Sequence, residues 1–198
     1  EGAPVQSVLV EARPADGSRA LKSAWTDADG SYALRGFVGE VVVCVQGHYE
    51  GFLSECEDDV AWDPNRDAAP TGRARDVTPG SAATVDFQLD RGGSISGRLT
   101  MSIGDPVFDA LIMVFDGSGA DVGYGWSDPQ GNYTIGGLRD GDYSVCFLAA
   151  AGEHYEPKEC WDDQPWSGDE GPEGDVVAIR DRAPVTGIDA ELDLSPNP

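Results

Sequence analysis

Trp25-Thr26-Asp27-Ala28-Asp29-Gly30-Ser31-Tyr32 is answered 101 positions later by Trp126-Ser127-Asp128-Pro129-Gln130-Gly131-Asn132-Tyr133. The echo extends both ways. Val42-Val43-Cys44 returns as Ser144-Val145-Cys146, and His48-Tyr49-Glu50 as His154-Tyr155-Glu156. Glu55-Cys56 returns as Glu159-Cys160, and Val85-Asp86-Phe87-Gln88-Leu89 as Ile188-Asp189-Ala190-Glu191-Leu192. Order is kept while the offsets drift by a few residues, as loop insertions produce. A period of about a hundred residues is the size of a domain and far longer than a solenoid repeat. The 198 residues therefore read as two tandem domains, 1–90 and 91–198.

Within each repeat no helical period is sustained. Short alternating apolar runs are broken by Gly, Asp and Pro, which is the pattern of strands and turns. Repeat two offers seven such runs, at 94–100, 110–115, 123–127, 133–135, 142–148, 176–180 and 187–192. Seven is the strand count of an immunoglobulin-like sandwich. Repeat one offers six, at 7–11, 24–26, 32–34, 40–45, 75–77 and 84–89. Asp27-Ala28-Asp29-Gly30 and Asp128-Pro129-Gln130-Gly131 are hairpin turns: glycine takes the positive φ and aspartate bonds the turn backbone.

The shortfall in repeat one has a visible source. Gly93-Ser94-Ile95-Ser96-Gly97-Arg98-Leu99-Thr100 reads as a strand ahead of Pro106-Val107, whereas three residues precede the equivalent Pro4-Val5. Repeat one is therefore expected to lack its opening strand, with the parent chain continuing upstream. The sheet edge left open is expected to take an upstream segment or another molecule by strand addition.

Charge narrows the partners. With 36 acidic against 13 basic residues the net charge is −23. Such a surface repels phosphate backbones and anionic lipid, which argues against nucleic acid and membrane surfaces. No apolar run reaches the length of a membrane span, so no membrane insertion is expected. No signal peptide opens the sequence, so an exported protein is read here in mature or trimmed form.

Four cysteines stand at matching places, Cys44 and Cys56 in one repeat, Cys146 and Cys160 in the other. Paired occurrence argues for one disulfide per module and an oxidising, extracellular compartment. Closing loops of that length contributes roughly 3 kcal/mol in the chain-entropy model. The rival is a metal site with His48 and His154, although neither spacing matches a zinc motif.

The loops around these cysteines are acidic. Residues 50–67 hold Glu50, Glu55, Glu57, Asp58, Asp59, Asp63 and Asp67 against Arg66 alone. Residues 153–175 hold nine acids, among them Asp162, Asp163, Asp169 and Asp175, against Lys158 alone. Two readings stand. Either calcium binds through carboxylates such as Asp58 and Asp59, or Asp162 and Asp163, or the loops are simply solvated. Trp62, Trp161 and Trp166 lie in the same loops. They read either as packing on the disulfides or as an aromatic platform for a glycan or protein partner. Trp25 and Trp126 occupy equivalent positions outside the loops.

Gly30-Ser31-Tyr32-Ala33-Leu34-Arg35-Gly36-Phe37 and Asn132-Tyr133-Thr134-Ile135-Gly136-Gly137-Leu138-Arg139-Asp140-Gly141-Asp142-Tyr143, with the closing Val-Thr-Gly-Ile-Asp-Ala-Glu-Leu, carry a further signal. This string resembles the carboxypeptidase regulatory-like modules, found in tandem on bacterial surface and secreted proteins. The resemblance covers 93–192 and 4–89. It implies an all-β chain of two tandem prealbumin-like, immunoglobulin-like β-sandwiches of about seven strands each.

No nucleophile elbow and no His-Glu-x-x-His motif occurs, and no two carboxylates are singled out as a glycosidase pair. The expectation is a non-enzymatic stalk, spacer or adhesion module, secreted or anchored at the cell surface. The alternative is an accessory carbohydrate- or protein-binding module of a secreted hydrolase. No cofactor is required in either case, with calcium as an optional stabiliser.

Overall fold

The computed structural model describes residues 2–16, 18–64, 69–149, 158–166 and 176–192. Among these residues the chain is all-β, and its helical structure is one 3-10 turn at His48–Glu50. It divides into two compact units, Glu1–Arg91 and Gly92–Pro198.

The first unit holds Leu9–Pro14 (β1), Lys22–Trp25 (β2), Gly39–Gln46 (β3), Glu55–Cys56 (β4), Val60–Ala61 (β5) and Ala74–Val77 (β6). They form one sheet in the order β2-β1-β3-β4-β5, with β6 also pairing to β3. The run Val41-Val42-Val43-Cys44-Val45 explains why β3 is central. Its β-branched side chains favour extended backbone, and all five residues are buried. Val43 and Val45 pack with Val8 and Val10 on one face. Val42 and Cys44 pack with Cys56 and Trp62 on the other.

The second unit holds Gly93–Met101 (β7), Leu111–Asp116 (β8), Asp121–Trp126 (β9), Asn132–Leu138 (β10), Gly141–Leu148 (β11), Lys158–Cys160 (β12), Gln164–Pro165 (β13), Val177–Ile179 (β14), Val185–Thr186 (β15) and Ala190–Leu192 (β16). One sheet runs β13-β12-β11-β8-β9 with β14 on β11, which repeats the order of the first unit's sheet strand for strand. A second sheet is built on β7, which pairs antiparallel with β10 and parallel with β15 and β16. Ile95 and Leu99 from the second sheet meet Ile112, Val114, Val145 and Phe147 from the first in one buried core. The arrangement is sandwich-like.

Two corrections to the sequence reading concern strands. Segments 32–34 and 84–89 are not strands, although their counterparts lie in or beside β10 and β16. In the second unit every member of that sheet bonds to β7, and the described residues of the first unit include no equivalent of β7. A segment with no neighbour to complete its ladder leaves its N–H and C=O groups to water. The alternation nevertheless survives. Tyr32, Leu34, Val85, Phe87 and Leu89 are half-buried between exposed neighbours, where Tyr133, Ile135, Ile188 and Leu192 are buried.

The second correction is in the count. The second unit has ten strand segments among the described residues, against the seven expected. Short hairpin strands β12 and β13 frame the loop after Cys160. The run 187–192 holds only β16, and β15 lies just ahead of it. Between them Ile188 N–H donates to the Ser96 carbonyl at 3.1 Å.

Candidate functional site

The two cysteine loops fold alike. Cys44 lies opposite Cys56 on paired strands β3 and β4, and Cys146 opposite Cys160 on β11 and β12. Both pairs are disulfides, and no free cysteine remains. The metal alternative for these sulfurs falls with that pairing. His48 is turned to Ser54, its Nδ1 lying 3.4 Å from the hydroxyl. Burial lowers its pKa, with the Asp63 carboxylate pulling weakly the other way. His154, Tyr155 and Glu156 lie outside the described residues, as do Arg66, Asp67, Asp169 and Asp175.

After each second cysteine the chain reverses at an acidic pair. Asp58 and Asp59 have φ of 68° and 58°, and Asp162 and Asp163 have 65° and 56°. Two successive residues at positive φ are the signature of a type I′ hairpin turn, where aspartate is among the few side chains tolerated. Backbone geometry thus accounts for both Asp-Asp pairs. Among the described residues no group of three or more His, Cys, Asp or Glu side chains is placed to hold a metal ion. The neighbouring Glu57 is buried and engaged. Arg75 Nε donates to its Oε2 at 2.6 Å and Arg75 Nη2 to its Oε1, so the carboxyl is held below its ordinary range.

The tryptophans of these loops are packing residues. Trp62 is buried against the Cys44–Cys56 bridge, with the Arg13 guanidinium 5.5 Å from its ring centroid. Trp166 is buried with Cys146, Cys160 and Phe115, its ring 5.9 Å from that of Phe115. Trp161 is half-buried against the main core of the second unit. Of the two readings open for these tryptophans, Trp62 and Trp166 follow the packing one, each buried against its disulfide, while Trp161 rests half-buried on the main core.

Exposed aromatics stand elsewhere. Trp25 and Trp126 are 58% and 57% accessible, at matching places on edge strands β2 and β9. Strand parity explains it. The next residues point inward: Thr26 Oγ1 accepts the Val8 N–H at 3.0 Å, and Ser127 Oγ accepts the Ala110 N–H at 3.0 Å. Side chains alternate across a strand, so the indoles face out. Tyr124 meets Trp126 edge-on at 5.4 Å. Sequence reading missed this pair as a surface, although the polar Thr26 and Ser127, following each tryptophan, held the signal.

Beside them, the Asp27 and Asp128 turns keep the glycine and aspartate chemistry expected of them, but they are not hairpins. β9 pairs with β8 and β10 with β7, so the Asp128 turn carries the chain from one sheet to the other, and no strand directly follows the Asp27 turn. Asp27 Oδ1 accepts the Ser31 N–H at 3.0 Å, Asp128 Oδ1 accepts the Asn132 N–H at 2.8 Å, and Gly30 and Gly131 take φ of 78° and 80°.

No protein-family model matches the chain, and no curated protein matches it. Among solved structures the chain is similar to "The Bacillus anthracis TIE protein", at 12% identity and a TM-score of 0.39. The match covers 96% of this chain and 31% of that one, so the chain spans less than a third of that structure's length. No helix among the described residues is long and apolar enough to cross a membrane.

Proposed function

We propose that the chain is a pair of non-catalytic extracellular modules, prealbumin-like sandwiches of the carboxypeptidase regulatory-like kind, serving as a stalk or adhesion segment of a bacterial surface protein. The duplicated staple supports this reading most directly. Each unit closes a disulfide between paired strands and covers it with a tryptophan, Trp62 or Trp166. Structural disulfides persist in oxidising surroundings, and repeating one stapled unit lengthens a chain without demanding chemistry from it. The role needs no cofactor. A melting temperature higher in millimolar calcium than in chelator would reveal calcium as an added stabiliser of the acidic loops.

The alternative, an accessory module that binds glycan or protein, draws support from the outward Trp25 and Trp126 on equivalent edge strands. Aromatic faces of this kind stack on sugar rings or anchor protein partners.

The test is exposure on intact cells that produce the native protein. A surface module is cleaved by added protease and resists a membrane-impermeant maleimide until reductant is supplied. Protection from protease, with four thiols reactive only after lysis, contradicts the proposal. A glycan array run with the Trp25→Ala and Trp126→Ala variants separates the two roles: indole-dependent binding selects the accessory module.

A further inference from the structure

We propose that a groove in the first unit is a strand-acceptor slot, filled by an extended peptide of the β7 pattern joined to the N-terminal side of Gly2-Ala3-Pro4. The groove encloses about 990 Å³ between 30–38 and 77–86, over Val41 and Val43. Its two flanks correspond to the segments that grip β7 in the second unit.

The gap has the width of a strand. In the second unit Tyr133 lies opposite Gly97 of β7, and its hydroxyl donates to the Ile188 carbonyl at 2.7 Å. A Cβ on Gly97 would overlap that carbonyl, so glycine is what lets the tyrosine and residue 188 close around the strand. In the first unit Tyr32 donates to the Val85 carbonyl, also at 2.7 Å, with no strand between. The flanks stand as though the strand were present.

Polar and apolar features of the flanks agree. Asp189 accepts the Arg98 N–H of β7 at 2.8 Å, and its counterpart Asp86 lines the groove. Tyr32, Leu34 and Val85 remain half-buried, while their counterparts are sealed under Ile95 and Leu99. The occupant is therefore apolar-x-Gly-x-apolar, antiparallel to 32–34 and parallel to 84–89. Its glycine lies opposite Tyr32.

The point of attachment follows from the slot's far end. In the second unit Leu99 N–H donates to the Gly131 carbonyl at 2.8 Å, and the chain turns back so that Pro106 lies against Gly131. Pro4 lies against Gly30 in the same way, with its Cβ 3.1 Å from where a Gly30 Cβ would stand. A strand leaving the slot there runs directly into Pro4. This inference depends on the groove and not on the role proposed above.

The test places the Gly93–Met101 sequence, through a short flexible linker, ahead of residue 1 of the 198-residue chain. Amide hydrogen exchange then reads 32–34 and 84–89. The expected result is slowing by roughly tenfold or more in both segments, absent when valine replaces the central glycine of the added strand. Unchanged exchange overturns the proposal, and so does equal protection by a shuffled sequence. Protection already present in an unfused, self-associating chain assigns the slot to a second copy and also overturns it. Should the fusion fail to fold, the free peptide is added to the unfused chain at up to millimolar concentration; protection of both segments supports the slot, and none at all refutes it.

Discussion

The Tyr32 hydroxyl and the Val85 carbonyl are 2.7 Å apart, the same distance that joins Tyr133 to Ile188 in the other repeat. One bond is buried in a finished core and the other bridges an open groove. Removing the buried hydroxyl leaves a carbonyl without water to replace its donor, which costs about 1 kcal/mol. Tyr133→Phe is therefore expected to destabilise the second unit by about that amount, and Tyr32→Phe to cost clearly less, because solvent reaches Val85. Urea unfolding of the two variants makes the comparison. A Tyr32→Phe loss equal to that of Tyr133→Phe would contradict the open groove.

The disulfides close loops of sequence separation 12 and 14. On the chain-entropy argument each contributes about 3 kcal/mol. The double variants Cys44→Ala/Cys56→Ala and Cys146→Ala/Cys160→Ala should each lower the stability of their own unit by that order. Trp62 emission should change in the first and Trp166 emission in the second. Thiol titration of the unreduced protein should find no free thiol.

Much of this architecture could be read from the residues, and the exceptions are instructive. The Trp25–Tyr32 and Trp126–Tyr133 echo implied two β units because turn chemistry and alternation are local properties. Cysteine pairing was legible from equivalent places. Segments 32–34 and 84–89 were misread as strands because their alternation is real, whereas a strand also needs a neighbour that no local pattern reports. The acidic pairs Asp58-Asp59 and Asp162-Asp163 were weighed as calcium ligands or solvated loop residues, and their place at positive φ in a turn was not legible because no local pattern reports it. Packing of Trp62 and Trp166 on the disulfides was one of two readings the sequence left open, because no local pattern says which face of a disulfide is covered.

The turn reading is itself testable. At positive φ a β-branched side chain clashes with its own backbone, while glycine and asparagine do not. Asp58→Val or Asp162→Val is expected to cost roughly 1–2 kcal/mol, and Asp58→Gly or Asp162→Asn little or nothing. Thermal unfolding of the four variants checks it. Equal losses for valine and glycine would mean that the carboxylate matters and the backbone does not.

Glu57 predicts an acid limb. Arg75 holds its carboxyl below the ordinary value of 4.5, so the folded state releases the proton more readily than the unfolded chain does. The stabilisation is complete above about pH 4.5 and is lost as the pH falls through the lowered folded value. Glu57→Gln removes this contribution. Melting curves of the parent and the variant should differ at neutral pH and converge on acidification. A gap that stays constant would show that the ion pair is not the source.

The central claim is that both repeats share a six-stranded sheet while, among the described residues, only the second completes the opposing one. Amide hydrogen exchange of the 198-residue chain tests it directly. Residues 133–135 and 190–192 should be protected with the core of their unit, and 32–34 and 84–89 should exchange at least roughly tenfold faster. Equal protection of the two sets in a monomeric chain would contradict the account.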